Sequence, residues 1–193
     1  MEDMKRPITE RELSTSQAVH HVSYSLSSLQ DLRSLSDESM IILFTPTVPA
    51  SDTEAKIKRE GGPIDPFETF GRAVSQRHVR VRHVPFVPKV GLTDLHLAWI
   101  RRAGAIIVVN CEPAGLTEQH VKESLDNQRT FNGEVSNALH SMRADGSSVP
   151  LSGIYCGKSQ PQQHAAYRNL IQCSSYDTAD LEAAASLLMD RHN

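Results

Sequence analysis

Two short clusters of hydrogen-bonding residues stand where an α/β protein would hold a ligand. Thr45 and Thr47 follow the apolar run Met40-Ile41-Ile42-Leu43-Phe44, and Asn110, Cys111 and Glu112 follow Ala105-Ile106-Ile107-Val108-Val109. Hydroxyl, amide, thiol and carboxylate groups together suit the hydroxyls of a sugar. Each apolar run is short and stopped by proline, which reads as a strand buried on both faces of a parallel sheet. In such sheets ligands gather beyond the carboxyl ends of the strands, where the strand order reverses. These five residues are therefore the predicted ligand-binding set, with Pro85 and Lys89 near by.

Other chemistries find less support. Neither G-x-G-x-x-G nor G-x-x-x-x-G-K-[ST] follows the first apolar run, which continues Thr45-Pro46-Thr47-Val48-Pro49 without glycine. Thr45, Thr47 and Ser51 could offer hydroxyls to an FMN-like phosphate, although hydrogen bonds to their own loop explain them more simply. Cys156 precedes Gly157-Lys158, a cation that could lower the thiol pKa. A cysteine hydrolase also needs a positioned histidine, and a small buried cysteine is the plainer reading. The nine histidines are scattered without H-x-x-x-H or H-E-x-x-H spacing, so no metal site is expected. Asp65, Glu68 and His83 read as a helix cap, a first-turn charge and a half-buried strand residue bonded to a loop carbonyl. No catalytic residue and no cofactor is assigned.

The elements that would position these groups alternate along the chain. Residues 1–15 are polar and read as a flexible lead-in, with a single domain over 16–193. Ala18, Val19, Val22 and Leu26 share helical spacing and predict a first helix, which Leu29, Leu32 and Leu35 extend or follow with a turn. Residues 50–66 predict a surface loop. Asp65-Pro66 caps a short helix with Phe67, Phe70, Ala73 and Val74 on one face. Val79 to Phe86 is a second strand, and Thr93 caps a helix carrying Leu95, Leu97 and Ile100. Residues 117–143 form a long polar helical region, interrupted at Asn132-Gly133. Val149–Cys156 and Leu170–Cys173 supply two more strands, Gln160–Tyr167 a helical turn or two, and Asp177 or Thr178 caps the closing helix. The sum is an α/β protein: a three-layer αβα sandwich around a flavodoxin-like, mostly parallel sheet of five to six strands.

Bulk properties narrow the partners. With 193 residues and a formal net charge of −3, the chain can bury a core but offers no basic footprint for nucleic acid. The cluster Arg77-His78-Val79-Arg80-Val81-Arg82 alternates charge with valine, as a strand with one solvated face does. No apolar run approaches the roughly 20 residues of a membrane-spanning helix. Three cysteines without C-x-x-C pairing, and a charged start without an apolar segment, predict a cytoplasmic protein with reduced thiols.

Several blocks in succession resemble one family: Leu43-Phe44-Thr45-Pro46, Asp65-Pro66-Phe67-Glu68, Phe70-Gly71-Arg72-Ala73, Val81-Arg82-His83-Val84-Pro85-Phe86, Gly91-Leu92-Thr93 with His96, and Arg102 to Val109. In order and spacing they are similar to the C-terminal α/β domain of fungal glycoside hydrolase family 3 enzymes of the β-N-acetylglucosaminidase type. The likeness spans roughly residues 17–190 and is dense between 40 and 110. In that family the chemistry belongs to an N-terminal (β/α)8 barrel, with an Asp nucleophile and a His-Asp acid/base pair. No counterpart of the barrel stands in these residues, so no family catalytic role is carried over.

The resemblance implies a non-catalytic accessory domain that acts through a protein partner or weak binding of an N-acetylglucosamine-type sugar. Two alternatives stay open. One is a part of a β-N-acetylglucosaminidase whose barrel is encoded elsewhere. The other is a small-molecule enzyme or flavin carrier on a flavodoxin-like sheet, a fold that hosts many functions.

Overall fold

The computed structural model describes residues 18–49, 65–142, 149–159, 161 and 167–190. The expected lead-in, most of the 50–66 loop and most of the turns over 160–167 lie outside them. Six strands form one sheet: β1 (Val19–Ser23), β2 (Met40–Pro46), β3 (Val81–Phe86), β4 (Ala103–Cys111), β5 (Leu151–Cys156) and β6 (Asn169–Cys173). Their order is β1-β6-β5-β4-β2-β3, with only β1 antiparallel to its neighbour. Counted without β1, the five parallel strands run 2-1-3-4-5, the flavodoxin-like order. The order reverses between β2 and β4, as expected.

Strand alternation builds the three layers. In β4 the side chains of Ala105, Ile107, Val109 and Cys111 enter one core, with α1 (Leu26–Arg33), α2 (Glu68–Ser75) and α5 (Thr178–Met189). Ile106 and Val108 enter the other, beneath α3 (Asp94–Ile100) and α4 (Glu118–Met142). At the centre of the second core Phe131 stacks on Phe86, centroids 3.8 Å apart, and meets Phe44 and His96 edge-on. Such a cluster adds directional contacts to the apolar area it buries.

Two expectations are corrected. Residues 19–23 form a strand, not the start of a helix. Helical spacing over so few residues does not separate the two states, and pairing with β6 covers an otherwise open edge. The helix begins only at Leu26, N-capped by Ser25, whose hydroxyl accepts the Ser28 N–H at 3.4 Å. Buried Asn169 of β6 fixes that corner, accepting the Ser25 N–H at 3.0 Å and donating to Ser28 Oγ at 3.0 Å.

The second correction concerns α4, which runs unbroken for 25 residues through Asn132-Gly133. Gly133 costs a helix about 1 kcal/mol relative to alanine, but the inward face outweighs it. Gln128, Phe131, Asn132, Val135 and Ala138 are all buried there, and Asn132 donates to Asn110 Oδ1 at 2.8 Å.

At the β3 edge, the bonds Ile41 N–H to Arg80 C=O and Thr47 N–H to Phe86 C=O set which residues face inward. The odd positions Val81, His83 and Pro85 then turn their backbone outward. Proline thus sits where its missing N–H costs the ladder nothing and blunts an open edge.

Candidate functional site

At the carboxyl ends of β2, β3 and β4 the connecting loops enclose a cleft of about 290 Å³. One side is apolar, made by Val48 and Pro49 after β2, Val87 and Pro88 after β3, and Pro113 and Leu116 after β4. The facing side is helix α4, which presents His120, Glu123, Ser124 and Asn127. Those positions, spaced three and four apart, lie along one helix face. Thr47 and Lys89 complete the rim.

The walls are tied together by side chains. The Tyr176 hydroxyl accepts the Ala114 N–H at 3.1 Å and lies 3.2 Å from the Pro49 carbonyl, joining the loops after β2 and β4. Lys89 reaches Glu123 at 3.0 Å. Its hydrogen bond and charge, with a contribution from His120, hold the Glu123 carboxyl below the usual range. Glu134 accepts the Leu92 N–H at 2.9 Å, next to Gly91, whose φ of 73° favours glycine. The cleft is preformed, which lowers the ordering cost of binding.

Next to the cleft, β4 outruns β2. Phe44 pairs with Val108, so in register β2, which ends at Pro46, reaches the level of Asn110, and β4 runs one residue further. Gln128 fills the gap: its Oε1 accepts the Cys111 N–H at 2.8 Å and its Nε2 donates to the Cys111 carbonyl at 2.9 Å. A second bond, from Nε2 to Ser124 Oγ at 3.1 Å, links this clamp to the cleft wall. No sequence motif marks Gln128; its role depends on how far β4 extends past β2.

Of the five predicted residues, the structure places Thr47 on the cleft. Thr45 is buried, with its hydroxyl 2.6 Å from His83 Nε2. Asn110 is buried and accepts from Asn132, and the backbone of Cys111 is held by Gln128. Glu112 receives the Tyr155 hydroxyl at 2.8 Å and the N–H groups of Lys158 and Ser159 at 3.1 and 3.0 Å. Burial alone would raise its carboxyl, but bonds from Ser159, Tyr155 and Lys158 outweigh this and hold it low. Burial and that carboxylate push the Tyr155 phenol up. Gly157 is what lets this loop close: a Cβ there would come within 2.6 Å of the Glu112 carboxyl carbon. His120, Glu123, Ser124 and Asn127 were not anticipated, because a polar helix face facing solvent and one facing a cleft look alike in sequence.

Asp65, Glu68 and His83 converge on the opposite face of the sheet. Asp65 caps the turn into α2, accepting the Phe67 N–H at 2.9 Å, and lies 3.7 Å from His83 Nε2. His83 bonds to the Thr45 hydroxyl, where a loop carbonyl was expected. An open groove of about 440 Å³ runs beside it, but only α2 and the β3 edge border it. Three strand loops converge on the smaller cleft, which is why the cleft is the candidate. The three cysteines form no disulfide and are buried, and Cys156 is raised, not lowered: its hydrogen bond with Cys173 and burial both disfavour the thiolate. Among the described residues no group of three His, Cys, Asp or Glu side chains could hold a metal ion. Nor is any described helix long and apolar enough to cross a membrane.

Two histidines make stability depend on pH. Burial lowers both: His83 despite the charges of Asp65 and Glu68, and His96 despite its bond to the Pro85 carbonyl. His96 Nδ1 accepts the Thr93 N–H at 3.0 Å, so the neutral ring carries its proton on Nε2. Unfolded histidine titrates near pH ~6.5, so the unfolded state binds more protons below that point. Stability should be full above it and fall as the pH drops toward the lower folded values. Melting temperatures between pH 7.5 and 5.5 should show this decline, and His83→Gln with His96→Gln should flatten it. An equal slope in the double variant would contradict the assignment.

No protein-family model matches the chain, and no curated protein matches it. Solved structures do. A glycoside hydrolase family 3 β-N-acetylglucosaminidase from a Paenibacillus species aligns with TM-score 0.53 and 13% identity, covering 88% of this chain and 28% of that one. A β-glucosidase from Listeria innocua in complex with isofagomine gives 0.55 at 10% identity, covering 97% of this chain and 27% of its own. The same enzyme with glucose gives 0.55 at 11%, covering 88% and 23%. The chain therefore spans about a quarter of the length of these enzymes, and the likeness at such identities is one of fold.

Proposed function

We propose that this chain is a non-catalytic accessory domain related to the second domain of family 3 glycosidases, and that its cleft weakly binds an N-acetylglucosamine-type sugar. The observation that supports this most is the contrast between the two walls. Val48, Pro49, Val87, Pro88 and Pro113 offer an apolar surface to one face of a sugar ring. Glu123, Ser124 and Asn127 offer acceptors and donors to its hydroxyls and amide. At about 290 Å³ the cleft is just smaller than the about 300–1,000 Å³ found for ligand pockets, which suits a single sugar ring. An open site with few contacts supports a dissociation constant on the order of 1 mM. The buried cysteines, which form no disulfide, suit a reducing compartment, the cytoplasm in this reading.

Calorimetric titration with N-acetylglucosamine should give saturable binding that Asn127→Ala weakens several-fold without changing thermal stability. Chromogenic N-acetylglucosaminides should not be turned over by the chain alone. Robust hydrolysis, or affinity unchanged in Asn127→Ala, would end this reading.

A second reading is favoured by coverage. Because the chain matches only 23–28% of the enzymes it resembles, this reading makes it one part of a β-N-acetylglucosaminidase whose barrel is encoded elsewhere. The genomic sequence around its coding region distinguishes the two.

A further inference from the structure

We infer that the corner at the amino-terminal ends of β3 and β4 docks an acidic segment of a partner protein. Arg80 and Arg82 stand at the start of β3, and Arg101 and Arg102 immediately before β4, on either side of the start of β2. Between them lies Trp99, the single tryptophan of the chain. The Arg82 and Arg102 guanidinium carbons lie 5.0 and 5.8 Å from its ring centroid, within the range of a cation–π contact. All four arginines are exposed.

Their pairing sets them apart. Arg72, Arg77, Lys89 and Arg129 each have a carboxylate within ion-pair distance. Among the described residues, none of the four corner arginines does, and Arg80 spends one N–H on the Glu38 carbonyl at 2.7 Å. Four like charges thus gather at one corner of a chain whose net charge is −3, with no ion pair to a carboxylate among the described residues.

The chemistry selects the occupant. Guanidinium forks match carboxylates two bonds at a time, and stacking on Trp99 holds the forks in place before binding. Val79, 76% exposed, stands immediately before Arg80 and adds an apolar contact. Tryptophan and arginine are among the residues enriched in protein–protein hot spots. A nucleic-acid surface would need a wider basic face than one corner provides.

The experiment uses the full chain and a fluorescein-labelled oligoglutamate peptide followed by anisotropy, with Trp99 emission as the local report. The expected result is saturable binding that shifts Trp99 emission and weakens steeply with added salt. Arg82→Ala with Arg102→Ala should weaken it at least tenfold, and the corresponding lysine pair by less. Arg129→Ala removes the same kind of charge elsewhere and should leave binding unchanged. Equal affinity in the Arg82→Ala, Arg102→Ala variant would overturn the proposal. So would stronger competition by inorganic phosphate or oligothymidylate than by unlabelled oligoglutamate, which would make the corner a phosphate site.

Discussion

Phe131→Ala is expected to destabilise the protein by about 3–5 kcal/mol, the largest effect of any single change considered. The ring is fully buried, stacked at 3.8 Å on Phe86 and edge-on to Phe44 and His96. Removing it opens a cavity among three rings fixed on β2, β3 and α3, which cannot all move inward to fill it. The melting temperature should fall by on the order of 10 °C for a domain of this size. Phe131→Leu keeps much of the volume and should cost markedly less. Equal losses in the two variants would show that the stacking geometry, not the buried volume, carries the stability.

Gln128→Ala is the second. It leaves a buried N–H and a buried carbonyl of Cys111 without partners, each costing about 1–3 kcal/mol when unsatisfied. Unlike Phe131, this residue also borders the site through Ser124, so the change should reach the cleft. The variant should unfold at lower denaturant with an unchanged slope, and the Cys111 amide should lose its protection from hydrogen exchange. Gln128→Glu keeps the acceptor for the N–H but cannot donate to the carbonyl, so it should recover only part of the loss. Full stability in Gln128→Ala would mean that water replaces the clamp.

The fold was largely legible because its strongest signals are local. Runs such as Met40–Phe44 and Ala105–Val109 are too short for helices and too apolar for edges, and they became β2 and β4, two interior strands on either side of the order reversal. Thr93 was readable as a cap because its partner His96 lies within the first turn, whereas Asp65 holds only the turn before α2, whose N-cap is Phe67. Residues 19–23 were not readable as a strand, since their pairing partner lies about 150 residues away on β6. Asn132-Gly133 looked like a break because the packing along this part of the continuous α4 comes from β2, β3 and β4.

For the candidate cleft, position was more legible than composition. Topology placed it beyond β2 and β4, and the cleft opens there, with Thr47 on its rim. Thr45, Asn110, Cys111 and Glu112 have bonding partners inside the fold, supplied by His83, Asn132, Gln128 and Tyr155 from distant segments. No spacing along the chain reveals which polar groups such partners occupy. The polar row on α4 became a candidate only once the loops after three strands were seen to face it.

The most direct test of the account is to follow backbone amide resonances of the intact chain during titration with N-acetylglucosamine. Saturable shifts confined to residues 47–48, 87–92 and 116–127, and absent with a sugar lacking the acetamido group, are the predicted result. Shifts spread over the opposite face around Asp65 and His83, or none at millimolar sugar, would contradict it.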